Sequence, residues 1–307
     1  MRPPGAPWTT DSSRERSRGI PGWPDLTLGQ TPEIFGSMPF PVRYHLLSDL
    51  LSSNFSAVRI KLAILLNPTR ISAALASAIR QKLQTDGKTV LYSAAAAVLD
   101  GSGRRTEDGG QKLTGLTGLV QGTSGIKNRM TTFAAPGLNW ASASAQAVWQ
   151  PLVGKEVGAS WPATPWYYYN MSAAGPDEMA TVLGHFEGTS LPSLVQVKLA
   201  NHTAVFSSNP IATGVSTEAY LALALAAGVH SYTAVSSSTR VEAGGNMLVV
   251  HHALKPSAAA APLTCTVSLP RALIVHATNG RVVCTNCTEF EDCAIATRTQ
   301  VYLVEEA

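Results

Sequence analysis

The chain has 307 residues, of which 45% are hydrophobic and only 14% charged. That balance excludes a disordered chain and leaves ample length for one large core or two modest ones. The formal net charge is +3, from 23 basic and 20 acidic residues. The basic residues form no stripe with interleaved aromatics, which argues against nucleic-acid binding.

No segment reaches the roughly 18 consecutive apolar residues of a membrane span, so no membrane is expected as a partner. The first residues lack the apolar core of a secretory signal, and the cytoplasm is therefore slightly favoured as the compartment. Four Asn-x-Ser/Thr sequons, at Asn54, Asn170, Asn201 and Asn286, would matter only in a secretory pathway. Residues 1 to 40 are rich in proline and poor in periodic apolar positions, as a disordered leader would be, and Arg14, Arg16 and Arg18 fall within it.

Pattern begins near Val42 and becomes clear at Val58. Ile60 to Leu66 is apolar apart from Lys61, which suits a strand covered on both faces. Asn67-Pro68-Thr69 breaks it, and Ile71, Leu75, Ile79 and Leu83 then recur at helical spacing up to Asp86-Gly87. Thr89 to Tyr92 is β-branched and aromatic. The unit is therefore β-α-β, a right-handed parallel crossover when both strands share a sheet. Functional loops of such a sheet lie at the carboxyl ends of its strands. Here that end carries Ser93 followed by four alanines, Ala94 to Ala97.

Residues 101 to 161 are dominated by Gly, Ser, Thr and Ala and read as a loop-rich insertion. An aromatic run, Trp166 to Tyr169, marks the return of order. A short helix is expected from Asp177 to Leu183, then strands over Leu194–Leu199 and Thr203–Ser207, a helix over Glu218–Ala227, and a strand over Val229–Thr233. After about residue 236 the texture changes. Met247–His251, Leu263–Leu269, Ala272–Ala277, Arg281–Cys284 and Thr299–Val304 are short β-rich runs with polar turns between them, the pattern of an antiparallel β module. The expected organisation is a leader over 1–40, an α/β domain over 41–236, and a small β domain over 237–307.

Taken in order, several motifs resemble the non-barrel region of glycoside hydrolase family 42-type β-galactosidases. They are the strand into Asn67-Pro68, Asp86-Gly87-Lys88, Leu113-Thr114-Gly115, Val182 to Phe186, Ala204 to Ser207, Ala226 to His230 and Asn246 to His251. The resemblance implies a flavodoxin-like, class I glutamine amidotransferase-like domain, often called the trimerisation domain, followed by a small β-sandwich-like domain. It also implies assembly into homo-oligomers. The family's catalytic glutamates belong to a preceding (β/α)₈ barrel, which needs some 200 residues or more. About 40 precede the resemblance here. A non-catalytic accessory region is the expectation, or a hydrolase whose barrel lies outside this chain.

The chemical inventory points the same way. An amidotransferase-like site needs a nucleophilic thiol, yet Cys265, Cys284, Cys287 and Cys293 all fall in the β module. Ser93 has no Gly-x-Ser-x-Gly elbow around it. The cysteine spacing favours free thiols or one disulfide over a zinc site, and no metal or other cofactor is expected. His251 and His252 are adjacent on a strand and point to opposite faces, while His185 and His230 sit at element ends as packing or capping groups. Asp177-Glu178 fits a helix start, and Glu289, Glu291 and Asp292 fit a hairpin loop. Neither group resembles the carboxyl pair of a glycosidase. The remaining alternative is a carbohydrate-binding module in which Trp161, Trp166 and Tyr168 stack on sugar rings, although the same aromatics would serve equally as core.

Overall fold

The computed structural model describes residues 35, 38–66, 68, 70–93, 115–124, 130–136, 140–157, 168–173, 179–208, 217–232, 239–244, 246–252, 263–294 and 298–306. The chain divides into two compact units, one including His45–Gly228 and the other combining Pro32–Tyr44 with Val229–Ala307. Among the described residues, no helix is long and apolar enough to cross a membrane.

The first unit is built on β1 (Leu62–Leu65), α1 (Ala73–Lys82) and β2 (Lys88–Ser93). β1 and β2 pair in parallel, from Leu62 opposite Thr89 to Leu65 opposite Tyr92, as the apolar run and the helical stripe predict. Ser72 caps α1 by accepting the backbone N–H of Leu75. Every residue of β2 is buried. On its far side it pairs in parallel with β9 (His202–Ser207), so the crossover unit sits beside a third parallel strand.

From β9 onward the sheet turns antiparallel. Its order is β1-β2-β9-β8-β7-β4-β5, with β8 at Pro192–Lys198, β7 at Met179–Phe186, β4 at Thr131–Phe133 and β5 at Glu156–Val157. The architecture is thus α/β with a mixed seven-stranded sheet, in which only β1, β2 and β9 have the parallel arrangement of a doubly wound fold.

Two sequence expectations change here. The helix expected over Asp177–Leu183 is strand β7, because Met179 to Val182 pair with β8 and the strand runs on through Gly184 and His185, which pair with β8 on one side and β4 on the other; Asp177 and Glu178 lie outside the described residues. Sheet pairing on both sides outweighs a local helix-start signal. The stretch 101–161, expected as loop-rich, contributes β3 (Leu119–Ser124), β4, α2 (Ala143–Trp149) and β5. Among its described residues Leu116, Leu119, Phe133, Trp149 and Leu152 are buried, and the Phe133 and Trp149 ring centroids lie 5.1 Å apart in an edge-on contact. β3 pairs with β6 (Tyr168–Ala173) as a separate two-stranded ladder.

One face of the central strands carries Val90, Tyr92, Val195, Val197, Ala204 and Phe206, packed with Leu75 and Ile79 of α1. On the other face Leu91, Leu183, Leu194 and Val205 are buried as well. The helix α3 (Thr217–Ala226) is buried continuously from Ala219 to Ala224, consistent with a helix apolar on all sides. Within this core Gln84 donates to the Tyr92 hydroxyl at 2.9 Å and also to the carbonyl of Leu116. Burial pushes the Tyr92 phenol well above its ordinary range, so it stays neutral.

The turn from α1 into β2 places Asp86 and Gly87 at positive φ, 56° and 69°, where glycine is at home and aspartate is tolerated. Lys88, buried at the start of β2, is neutralised by the Asp86 carboxylate at 2.6 Å and donates to Thr85 Oγ1 at 3.1 Å. Its hydrogen bond holds the Asp86 carboxyl below the usual range. A buried ammonium here needs these partners.

In the second unit, β10 (Thr239–Gly244), β11 (Met247–His252), β12 (Leu263–Ala277), β13 (Val282–Ala294) and β14 (Arg298–Glu306) form one antiparallel sheet in the order β10-β11-β14-β12-β13. Among the described residues this is a single sheet and not a sandwich. Its core is Val241, Leu248, Val250, Val267, Leu269, Leu273, Val275, Phe290 and Tyr302. The two runs expected as separate strands, Leu263–Leu269 and Ala272–Ala277, are one strand passing through Pro270. Residues Val229–Tyr232, expected within a strand, join no ladder, yet the Tyr232 N–H donates to Pro39 and its carbonyl accepts from Ser268. Phe35, Met38 and Phe40 are buried, so the chain just before residue 41 is packed.

Gly184 marks the tightest approach in the first sheet. A Cβ there would lie 2.6 Å from Thr131 Cγ2 and 3.3 Å from the Thr132 carbonyl. We expect Gly184→Ala to lower stability by about 1–3 kcal/mol through overpacking, read as a fall in thermal midpoint; an unchanged midpoint would show that β4 yields without cost.

Candidate functional site

The carboxyl ends of β1, β2 and β9 are where a parallel sheet exposes its functional loops. Four serines gather there. Ser93 ends β2 and pairs with Ser207, the last residue of β9; the Ser208 N–H donates to the Ser193 carbonyl at 2.8 Å, extending the β8–β9 ladder. The Ser93 hydroxyl is fully buried and donates to the Leu65 carbonyl at 3.2 Å. A nucleophile must be reachable and adjacent to a base. Ser93 is fully buried and its hydroxyl is held on the Leu65 carbonyl, as in a structural contact. Ala94 to Ala97 lie outside the described residues.

Ser193 and Ser208 differ from Ser93. Both side-chain oxygens are shielded from solvent and neither has a hydrogen-bond partner. Side chains alternate along a strand, so Ser193 and Ser208 lie on the α1 face, whereas Ser93 and Ser207 lie on the opposite one.

Of the aromatic group expected to contact sugar, Trp161, Trp166 and Tyr167 lie outside the described residues. Tyr168 opens β6 opposite Ser124, with its side chain outside the description. The organised aromatic cluster is a different one, Phe133, Trp140 and Trp149, with Trp140 and Trp149 centroids 5.1 Å apart. Trp149 Nε1 donates to the Ala134 carbonyl at 3.0 Å, which ties α2 to the end of β4. The sequence signal for it was the serine cap: Ser142 accepts from the Ala145 N–H and starts the helix that carries Trp149.

The histidines are dispersed. His230 bonds to the Ser268 carbonyl at 3.0 Å and stacks edge-on against Tyr232, a packing arrangement. His251 Nδ1 meets Thr299 Oγ1 at 2.8 Å across the β11–β14 ladder. His185 lies within β7, opposite Pro192. Sequence reading overlooked His202, at the start of β9 beside Lys88, whose Nε2 is buried without a partner and whose pKa is lowered chiefly by that desolvation. No group of three or more metal-ligating side chains converges among the described residues.

Cys284 and Cys287 form a disulfide, with Cα atoms 6.0 Å apart. They bracket a β-bulge: Val275 and Leu273 of β12 face Cys284 and Cys287, so the cystine-bearing strand holds one extra residue. Asn286, at φ 53°, absorbs it. Glu289 and Glu291 do not lie in a hairpin loop. They stand exposed on β13, opposite Ser268 and Thr266, because that strand runs unbroken to Ala294.

The second unit has a cleft of about 490 Å³ lined by Tyr232, Met247, Leu248, Leu269, Leu273 and Val304. Two carboxylates reach its rim. Glu306 is bound to Arg271 at 2.5 Å, and Glu305 lies 3.7 Å from His276 Nε2. As neighbours on one strand they point to opposite faces, so they do not flank a bond in the manner of a glycosidase.

No protein-family profile and no curated protein matches the sequence. Solved structures do match. Gan42B, a GH42 β-galactosidase from G. stearothermophilus, superposes with a TM-score of 0.56 at 12% identity over 94% of this chain and 37% of its own. The chain has the fold of part of a family 42 β-galactosidase. The β-galactosidase from Bacillus circulans sp. alkalophilus agrees, with a TM-score of 0.52 and 12% identity over 80% of this chain and 33% of its own. The chain thus spans about a third of the length of the structures it matches, as a non-barrel region would.

The serine end yields a prediction of opposite signs. Ser93→Ala removes a buried hydrogen bond and should cost about 1 kcal/mol, whereas Ser193→Ala removes an unsatisfied hydroxyl and should be neutral or stabilising by about 1 kcal/mol. Chemical denaturation of the two variants measures both. Equal losses would mean that Ser193 is satisfied in solution.

Proposed function

We propose that this chain is a non-catalytic accessory and oligomerisation region of a family 42-type β-galactosidase-like hydrolase. The observation that carries the reading is the match itself, which takes in 94% of this chain but only 37% of the Gan42B chain. The parallel β1-α1-β2 crossover beside β9 supports descent from an amidotransferase-like, flavodoxin-like domain. The buried Ser93 at the expected nucleophile position supports a loss of that ancestor's chemistry.

Assembly is supported by an exposed apolar segment. Leu46, Leu51 and Val58 are 47%, 54% and 81% exposed, in the stretch that leads into β1, an edge strand of the seven-stranded sheet. Exposed large apolar side chains in a segment that leads into a sheet-edge strand are the raw material of a contact between copies.

Light scattering at micromolar concentration should report a homo-oligomer, and the Leu51→Glu/Val58→Glu variant should shift it to monomer while remaining folded by circular dichroism. A strict monomer in the unmodified chain would sink the assembly role. In parallel, the purified chain should give no turnover of an aryl β-galactoside; turnover that survives repurification would overturn the non-catalytic reading.

A further inference from the structure

We infer that Asn54, Asn201 and Asn286 are N-glycan acceptors, which places the chain in an oxidising, glycosylating compartment and not in the cytoplasm that the sequence reading slightly favours. Each begins an Asn-x-Ser/Thr sequon: Asn54-Phe55-Ser56, Asn201-His202-Thr203 and Asn286-Cys287-Thr288. Sequons arise by chance, so the argument rests on where these three lie.

All three asparagines are exposed, and each stands at an irregular point of the backbone. Asn54 follows the short 3₁₀ helix Leu47–Leu51, in a turn where its N–H donates to Ser52 Oγ at 3.3 Å. Asn201 occupies the tip of the β8–β9 hairpin. Asn286 takes the left-handed conformation at the bulge of β13. Among the described residues none is seen to hydrogen-bond these three side-chain amides, and all three residues are exposed.

Two further observations are independent of the motif. The Cys284–Cys287 disulfide immediately flanks Asn286, and disulfides persist in the compartments where glycans are attached and are rare where thiols stay reduced. The placement of the other two is also selective. Lys82 Nζ donates to the Ser52 carbonyl at 2.6 Å, and the Gly87 N–H donates to the Asn201 carbonyl at 2.9 Å, so both sequons lie around the end of α1, at the amino ends of β2 and β9. Glycans there would leave the carboxyl ends of the parallel strands uncovered.

In the modification, the asparagine amide nitrogen bonds to the anomeric carbon of a lipid-diphosphate-linked oligosaccharide. The bond from that carbon to the diphosphate oxygen breaks, the diphosphate leaves with the electron pair, and the amide loses one proton.

The test uses full-length protein recovered from its own cells. Treatment with a peptide N-glycosidase in ¹⁸O water converts each glycosylated asparagine to labelled aspartate, read by peptide mass spectrometry. Label is expected at positions 54, 201 and 286, together with cysteines 284 and 287 that resist alkylation until reduced. Ser56→Ala, Thr203→Ala and Thr288→Ala, which keep the asparagines, should each remove one step of the electrophoretic shift. Recovery of all three peptides with unmodified asparagine would overturn the inference.

Discussion

Strand β2 carries the architecture of the first unit. It is buried at every position and hydrogen-bonded in parallel on both edges, to β1 and to β9. A strand enclosed in this way offers no face to water, so all its polar groups must be satisfied inside the protein. Lys88 at its start meets Asp86 and Thr85, Tyr92 meets Gln84, and Ser93 at its end meets the Leu65 carbonyl. These contacts link the turn after α1, the core face and the strand end. They also engage the Ser93 hydroxyl at the carboxyl end of the strand.

The outer boundaries of the two sheets are handled in different ways. In the second unit β13 is an edge strand, and it carries exposed Glu289 and Glu291, a bulge and a disulfide, all of which oppose further pairing by another chain. In the first unit β1 is an edge strand approached by a segment with exposed Leu46, Leu51 and Val58. One edge is protected and the other is apolar. That asymmetry is the physical ground for the proposal that the α/β unit self-associates.

The places of some single residues were legible in advance, whereas the aromatic candidates Trp161 and Trp166 lie outside the described residues. The absence of a thiol before Cys265, the lone Ser93 and the packing of His230 and His251 follow from residue inventory and strand periodicity, and the structure places Ser93, His230 and His251 in structural contacts. Other features were not legible. The unpartnered hydroxyls of Ser193 and Ser208 depend on what surrounds each side chain in the folded core, which the strand pattern does not state. The cluster of Phe133, Trp140 and Trp149 was hidden in a stretch whose average composition resembles a loop, since three aromatics scarcely alter the mean.

The sequence by itself determined the β1-α1-β2 crossover, because a continuous apolar run, a four-residue stripe and a Gly87 stop are local signals that tertiary contacts reinforce. It equally determined the antiparallel character of the second unit, through alternating β-rich runs and polar turns. Tertiary structure decided the rest. Met179–Phe186 became a strand because it pairs with its hairpin neighbour β8 on one edge and, near its end, with the sequence-distant β4 on the other, and Gly184 let β4 approach. The antiparallel half of the first sheet and the bulge at Asn286 follow from register, which is a relation between segments and is written in neither segment alone.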